Sequence, residues 1–258
     1  MRCASIIYAF LNKFTVTNEK NEEMKRRVAD VLRFSKNGNL LEIGCSAGYF
    51  LKVCQERGIS ASGIEINPDT ATYARDTVGL DIKIGTLENF DFPPETFDVV
   101  VMYDVLEHLH EPILCLNKIN KILKQNGLLV IQVPNIASIE SIIFGSRWYH
   151  DDVPRHLYHF SVSTLSNILL KNGFQIKQIK YSTDTTGLAM SLLRLIRDNM
   201  HIFLYEKKIS KSVDILDSKV TKVKDLILIC LKFILTPLAI LFAYVGKSGV
   251  IVVFCIKE

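Results

Sequence analysis

The stretch Leu40-Leu41-Glu42-Ile43-Gly44-Cys45-Ser46-Ala47-Gly48-Tyr49-Phe50 decides the fold. Its first four residues form a short apolar run that suits a buried strand. A turn of small residues follows. A helix then runs from about Tyr49 to Arg57, closed by Gly58 just past its last turn. In an open α/β sheet, ligands bind beyond the carboxyl ends of the strands. Small residues there let the backbone approach a ligand, and free N–H groups at a helix start favour negative charge. The loop is therefore expected to hold a nucleotide-like cofactor.

The pattern stays regular on both sides of this loop. Met24, Val28, Val31 and Leu32 recur at helical spacing, so Glu19–Ser35 reads as an amphipathic helix. Downstream, Ser60–Ile66 reads as a second strand, and Asn67–Pro68 caps and opens the next helix, which runs to about Thr77. Asp81–Ile84 is a third strand, and the near-continuous apolar run Phe97–Met102 is a fourth, covered on both faces. Glu111–Pro112 opens a helix with Ile113, Leu116, Ile119, Ile122 and Leu123 on one face, closed by Gly127. Leu128–Val133, Gln175–Tyr181 and Gly249–Ile256 complete the strands, with a helix over Ser163–Asn172. Such alternation means βαβ units and a mostly parallel sheet. About 65 residues separate the last two strands, against a usual connection of roughly 4–6. That gap must carry structure of its own. The chain thus divides into an N-terminal helical cap (1–37), a core (38–182), a helical hydrophobic insert (183–248) and a final core strand (249–258).

Composition narrows the class. The 258 residues are 48% apolar and 22% charged, which suits a folded chain. A net charge of +4 without an arginine-rich stripe gives no reason to expect nucleic acid as partner. Six cysteines without a C-x-x-C pair read as reduced, buried thiols of a cytoplasmic protein. The opening MRCASIIYAFLNKF lacks a small-residue cleavage site, so it reads as a leading helix rather than a signal peptide.

Neither the dinucleotide fingerprint G-x-G-x-x-G nor the P-loop pattern occurs at the loop. Glu42 instead stands two positions before the first glycine, and Glu65 ends the second strand seventeen residues beyond Gly48. A carboxylate at that second position can accept both hydrogen bonds of a ribose diol. Each acid alone reads as a solvated loop carboxylate. At consecutive strand ends they read as a pair for a cofactor with a cationic methionyl end and no pyrophosphate.

LLEIGCSAGYF, with GIEINP after it, resembles the class I S-adenosyl-L-methionine (SAM)-dependent methyltransferases. Within them it is similar to the group that includes the ubiquinone-biosynthesis O-methyltransferases and many small-molecule and sugar methyltransferases. The resemblance covers about Gly38–Tyr181 and the final strand. It implies an α/β, Rossmann-like, seven-stranded and mostly parallel sheet whose last strand is antiparallel. It implies SAM as cofactor, its amino-acid part at Glu42, Gly44, Cys45 and Gly48 and its ribose at Glu65. Ile66 and the segment Gly85–Glu88, with Thr86 and Leu87, would lie along the adenine. FDVVVMYDVLEHL resembles the family's fourth-strand motif and places Tyr103 and Asp104 on the methionyl side. Family members often have glycine where this chain has Ser46.

Methyl transfer from a sulfonium is an in-line substitution in which alignment matters most and a base helps when the acceptor is a hydroxyl. His108 follows Asp104 by one helical turn. In the ubiquinone-type relatives, acids and a histidine at these spacings are linked to a divalent metal, here Asp104, Glu107 and His108. The plainer reading, in which Glu107 and His108 start a helix or orient the acceptor loop, expects no metal. Trp148–Ser161 holds the only tryptophan and three of the six histidines. His156 and His159 suit a proton acceptor, since imidazole titrates near neutrality. Alternatively they pack under a lid and bond to backbone. Similar P-R-H-x-x-x-F-S segments recur in methyltransferases associated with polysaccharide or glycolipid biosynthesis. The spacing of His150, His156 and His159 matches no usual zinc pattern.

Seventeen of the twenty residues of Leu226–Val245 are apolar, with Lys232, Thr236 and Pro237 the exceptions. About 20 such residues match the thickness of a bilayer core. A full crossing would leave Gly249–Ile256 on the wrong side of a membrane for joining the sheet. The alternatives are a hairpin broken at Thr236–Pro237 that enters one leaflet, or a homodimer interface. Lysines in Glu206–Asp225 favour the inner, anionic face of the membrane. The reading is a methyltransferase acting on a small-molecule, sugar or lipid-linked acceptor, at oxygen, with peripheral or monotopic membrane contact through 226–245. A soluble enzyme with a dimeric insert and a non-catalytic SAM-fold scaffold are the alternatives.

Overall fold

Leu40–Ile43 forms β1, and all four of its side chains are buried. A computed structural model gives the structure of residues 21–35, 38–205 and 217–258. The expected leading helix at Met1–Phe14 and the lysines at 207, 208 and 211 lie outside those residues. Residues 21–32 form helix α1. After β1 come α2 (Tyr49–Glu56), β2 (Ala61–Glu65), α3 (Pro68–Thr72) with a π turn at Tyr73–Thr77, β3 (Asp81–Ile84) and β4 (Phe97–Tyr103). Next are α4 (Pro112–Ile122), β5 (Leu123–Pro134), α5 (Ile139–Phe144), α6 (Val162–Lys171), β6 (Phe174–Ser182), α7 (Thr185–Tyr205), α8 (Asp217–Tyr244) and β7 (Val250–Lys257).

The seven strands form one sheet in the order β3-β2-β1-β4-β5-β7-β6. β1 to β5 pair in parallel, and β7 slots antiparallel between β5 and β6. Pro134 and Ser182 both pair with Val250, so the ends of β5 and β6 meet the start of β7 at one edge. The carboxyl ends of β1, β2 and β4 open on that same edge. Side chains alternate between the faces, as a strand period of two requires. Leu41, Ile43, Val100 and Met102 pack with α4 and α6, while Leu40, Val99 and Val101 pack with α1 and α2. Covering both faces explains the continuous apolar runs of β1 and β4.

β5 starts at Leu123 rather than Leu128. Phe97 pairs with Leu123, the register then shifts, and Val99 pairs with Leu128. Gly127, expected to close the preceding helix, lies inside this irregular strand.

The long gap holds α7 and α8, which pack on each other. The hairpin expected at Thr236–Pro237 is not formed: α8 runs unbroken through Pro237. The Thr236 hydroxyl donates to the Lys232 carbonyl on the turn before the proline. Leu188, Ala239 and Phe242 from the two helices close a third apolar cluster on Phe144 and Trp148. The insert therefore packs onto the segment after β5. The outer side of α8 leaves Phe233 85% and Tyr244 88% exposed. Among the described residues, no helix is long and apolar enough to cross a membrane. Cys45, Cys54, Cys115 and Cys255 are buried free thiols, whereas Cys230 is exposed. Burial pushes the Cys54, Cys115 and Cys255 thiols up to about 12, so they stay protonated.

Candidate active site

The loop after β1 depends on left-handed backbone. Gly44 and Gly48 have φ of +73° and +75°. A Cβ on Gly44 would fall 2.5 Å from Val105 Cγ2, and one on Gly48 2.3 Å from Leu80 Cδ1. Ser46 also has positive φ, +49°, a backbone region that glycine enters at less cost. Glu65 ties the loop to the next one. Its Oε2 accepts the Ser46 N–H at 2.7 Å and its Oε1 accepts the Asn67 N–H at 2.8 Å.

Glu42 lies beneath, 5% exposed, and its Oε2 has no hydrogen-bond partner among the described residues. Burial pushes its carboxyl well above the usual range, opposed by Arg27 and reinforced by Glu65. A buried carboxylate with an unmet oxygen calls for a cationic donor. The methionyl ammonium of SAM fits that requirement. Arg27 stands beside it: its guanidinium carbon lies 4.1 Å from the centroid of the Tyr103 ring, which in turn meets Phe50 at 5.4 Å. The sequence reading missed Arg27. It sits three residues after Met24, so it interrupts the apolar stripe of α1, and that was the available signal.

Cys45 is buried beside Gly63 on β2. Ile66 is 67% exposed at the rim. The Thr86 N–H donates to Asn89 Oδ1 at 2.7 Å, while Leu87 is buried in the core beneath. Asp104 leaves β4 with a φ of +58°. Its carboxylate accepts Gln132 Nε2 at 2.8 Å. Asp104 is exposed just past the end of β4. Gln132 also went unread, although an amide inside LLVIQV was a visible exception.

The segment after β5 packs against the turn that follows β4. His108 Nδ1 lies 2.9 Å from the Arg155 carbonyl, His156 Nδ1 2.7 Å from the His150 carbonyl, and His159 Nε2 3.0 Å from the Asp151 carbonyl. Each of the three candidate histidines thus spends one ring nitrogen on the main chain of the lid and keeps the other. The His108 and His156 rings meet edge to face at 4.7 Å. The Glu107 carbonyl accepts the Leu157 and Tyr158 N–H groups at 2.8 and 3.2 Å. His150 pairs instead with Asp184 at 2.6 Å. No pattern in the sequence linked these two, because they come from separate elements.

The metal trio suggested by the resemblance is assembled differently. Asp104 is engaged by Gln132, and the atoms that converge belong to Glu107, His108 and His156, within 4.8 Å of one another. Neither buried Glu107 oxygen has a hydrogen-bond partner in another residue among the described residues, so this carboxylate and two imidazoles could hold a divalent cation.

A family model described as a methyltransferase domain matches residues 17–179. The ubiquinone biosynthesis O-methyltransferase of Cereibacter sphaeroides is 27% identical over 153 residues, covering 57% of this chain and 62% of the relative. The enzyme of the same name from Bradyrhizobium diazoefficiens is 26% identical over 163 residues, 59% of this chain and 62% of the relative. The matches thus span about three fifths of these relatives. A SAM-dependent methyltransferase from Archaeoglobus fulgidus superposes with a TM-score of 0.58 at 21% identity, over 97% of this chain and 100% of that one. Phosphoethanolamine N-methyltransferase 2 of Haemonchus contortus, crystallised with SAM, gives 0.60 at 17% identity, over 97% of this chain and 59% of that one. The sheet order, the glycine loop with its unmet carboxylate, and these likenesses together place the chain among the class I SAM-dependent methyltransferases.

Proposed function

We propose that this methyltransferase modifies an oxygen of a small-molecule, sugar or lipid-linked acceptor, with SAM lying across the carboxyl ends of β1, β2 and β4. The observation that carries the reading is Glu42, a buried carboxylate with an unmet oxygen beneath a left-handed glycine loop. Glu42 and the backbone of Gly44, Cys45 and Gly48 hold the amino-acid part. Arg27 neutralises its carboxylate and steadies Tyr103. Glu65 takes the ribose through the lone pairs that Ser46 and Asn67 leave free. Ile66, Thr86 and Leu87 border the adenine, and Tyr103 and Asp104 the methionyl chain. When bound, SAM supplies an electrophilic methyl group on a sulfonium.

His108, His156 and His159 form the acceptor wall and orient the lid through their bonds to its carbonyls. A cation on Glu107, His108 and His156 would polarise an acceptor oxygen. The names of the curated relatives support transfer to oxygen. The insert, residues 183–248, roofs the acceptor side by packing on Trp148. The bare outer face of α8, with Phe233, Ile234, Ile240, Leu241 and Tyr244 exposed, supports contact with the inner face of the cytoplasmic membrane and hence a lipid-linked acceptor. The same face would serve a homodimer.

The test is transfer of labelled methyl from SAM into a cell lysate, then separated into lipid, polysaccharide and small-molecule fractions. Label in an alkali-stable ether in one of these fractions is expected. Label on nitrogen, or in no fraction, contradicts the reading.

A further inference from the structure

His150 Nε2 lies 2.6 Å from Asp184 Oδ2, with the two side chains only 17% and 14% exposed. The pair is built from several directions. Asp184 stands between β6 and α7, and its Oδ1 accepts the Gly187 N–H at 2.8 Å. His150 follows Trp148 and Tyr149, which α7 holds by their main chain. Ser191 Oγ accepts the Tyr149 N–H at 2.8 Å, and Arg194 donates to the Trp148 and Tyr149 carbonyls at 3.0 and 3.2 Å. The Trp148 and Tyr149 rings flank the imidazole at 5.5 and 5.1 Å. Gly187 leaves the room the pair needs: a Cβ there would fall 2.0 Å from Asp184 Oδ2 and 2.6 Å from His150 Nε2. A side chain fixed this thoroughly is preorganised for one geometry.

With Nε2 turned to the carboxylate, Nδ1 has no hydrogen-bond partner among the described residues. His108, His156 and His159 also keep one ring nitrogen, but each turns the other to a main-chain carbonyl rather than to a side-chain carboxylate. The pair also sits at the reacting edge. Asp184 follows the carboxyl end of β6, where Ser182 pairs with Val250 beside the end of β5. Beside the pair, Trp148 Nε1 is buried without a partner among the described residues, and the buried Glu140 carboxylate faces the Gly249 N–H. A Cβ on Gly249 would lie 3.5 Å from Trp148 Nε1, Glu140 Oε1 and Asp184 Oδ2 alike, so these polar atoms converge on one place.

We propose that His150 accepts the proton of the acceptor hydroxyl, and that Asp184 is the positioning residue that fixes its tautomer. This rests on the reading of O-methylation above. The acceptor oxygen forms its bond to the methyl carbon, the carbon–sulfur electron pair stays on sulfur, and the hydroxyl proton passes to His150 Nδ1. Asp184 stabilises the resulting imidazolium, which releases its proton to water.

Two measurements test this. In a nitrogen-15 long-range correlation spectrum of histidine-labelled protein with S-adenosylhomocysteine, His150 is expected to carry its proton on Nε2 with Nδ1 bare. D184N is expected to lose that preference and D184E to restore part of it. A proton on Nδ1 in the wild type overturns the proposal. In the labelled-methyl assay on lysate fractions, H150Q is expected to slow transfer by about 10²–10⁴-fold, the usual range for a general base, with SAM affinity unchanged by calorimetry. Transfer by H150Q within about threefold of wild type, far below that range, also overturns it. If the wild type labels no fraction, the O-methylation reading fails and the proton-acceptor role of His150 falls with it, whereas labelling by the wild type with full activity in H150Q overturns the role of His150 alone.

Discussion

Gly48→Ala asks whether the cofactor loop is held by its backbone. Gly48 caps α2 with a φ of +75° and a ψ of 22°. A left-handed backbone costs an L-residue about 1–2 kcal/mol. The new methyl would also sit 2.3 Å from Leu80 Cδ1 and 3.4 Å from Ala74 Cβ. Leu80 is 6% exposed and packed, so moving it costs about 1–3 kcal/mol more. Gly48→Ala should therefore lose about 2–5 kcal/mol in total. Leu80→Ala alone should cost a similar amount through its cavity, about 2–5 kcal/mol. The double variant separates the two causes, because removing the leucine frees the space the methyl needs. Only the backbone term should then remain, so the double variant should be about 1–3 kcal/mol less destabilised than the sum of the singles. Urea unfolding of the four proteins, fitted with a shared m-value, measures this. Additivity within about 0.5 kcal/mol would show that Leu80 does not meet the loop. A single cost below about 1 kcal/mol would show that the left-handed turn is absent.

Arg27→Ala should weaken SAM binding by about 1.5–3 kcal/mol, the worth of a charged hydrogen bond, and calorimetry showing unchanged affinity would remove Arg27 from the site. Glu107 is pushed up to about 8, first by burial and then by Asp104. The folded state therefore keeps a proton that the unfolded state gives up in the ordinary carboxylate range. That contribution is full below that range and is lost as pH rises through about 8. With chelator present, stability should fall across this window and Glu107→Gln should flatten the fall; an equal slope in both proteins would refute it. Phe233→Ser with Tyr244→Ser should release the protein from anionic vesicles without changing Tm, since both side chains are almost fully exposed. Equal flotation of variant and wild type would exclude this face as the contact.

Much of the fold was legible because it rests on local signals. Period-two and continuous apolar runs marked the strands, and Asn67–Pro68 marked a helix start that the Asn67 side chain does cap. Gly127 misled because a glycine after a helical pattern reads as a stop. Here the helix had already ended at Ile122, and the pairing of Phe97 with Leu123 drew the chain early into β5. Pro237 misled because a proline removes one helical hydrogen bond, while the packing of α8 on α7 outweighs that loss.

Glu42 and Glu65 stood out as candidates because they lie within the last two positions of β1 and β2, beside the glycine loop. Arg27, Gln132 and Asp184 did not, because their partners are distant in sequence and only the folded sheet edge brings them together. The histidines of Trp148–Ser161 were visible as a group. Which of their nitrogens bond to carbonyls depends on the path of the lid.

The most direct test of the cofactor site is a calorimetric titration of SAM into the wild type and Glu65→Ala. One site in the wild type is expected, with affinity falling about ten- to a hundredfold in Glu65→Ala as charged hydrogen bonds to the ribose and loop are lost. No binding to the wild type, or equal affinity in both proteins, would contradict the placement of SAM above β1 and β2.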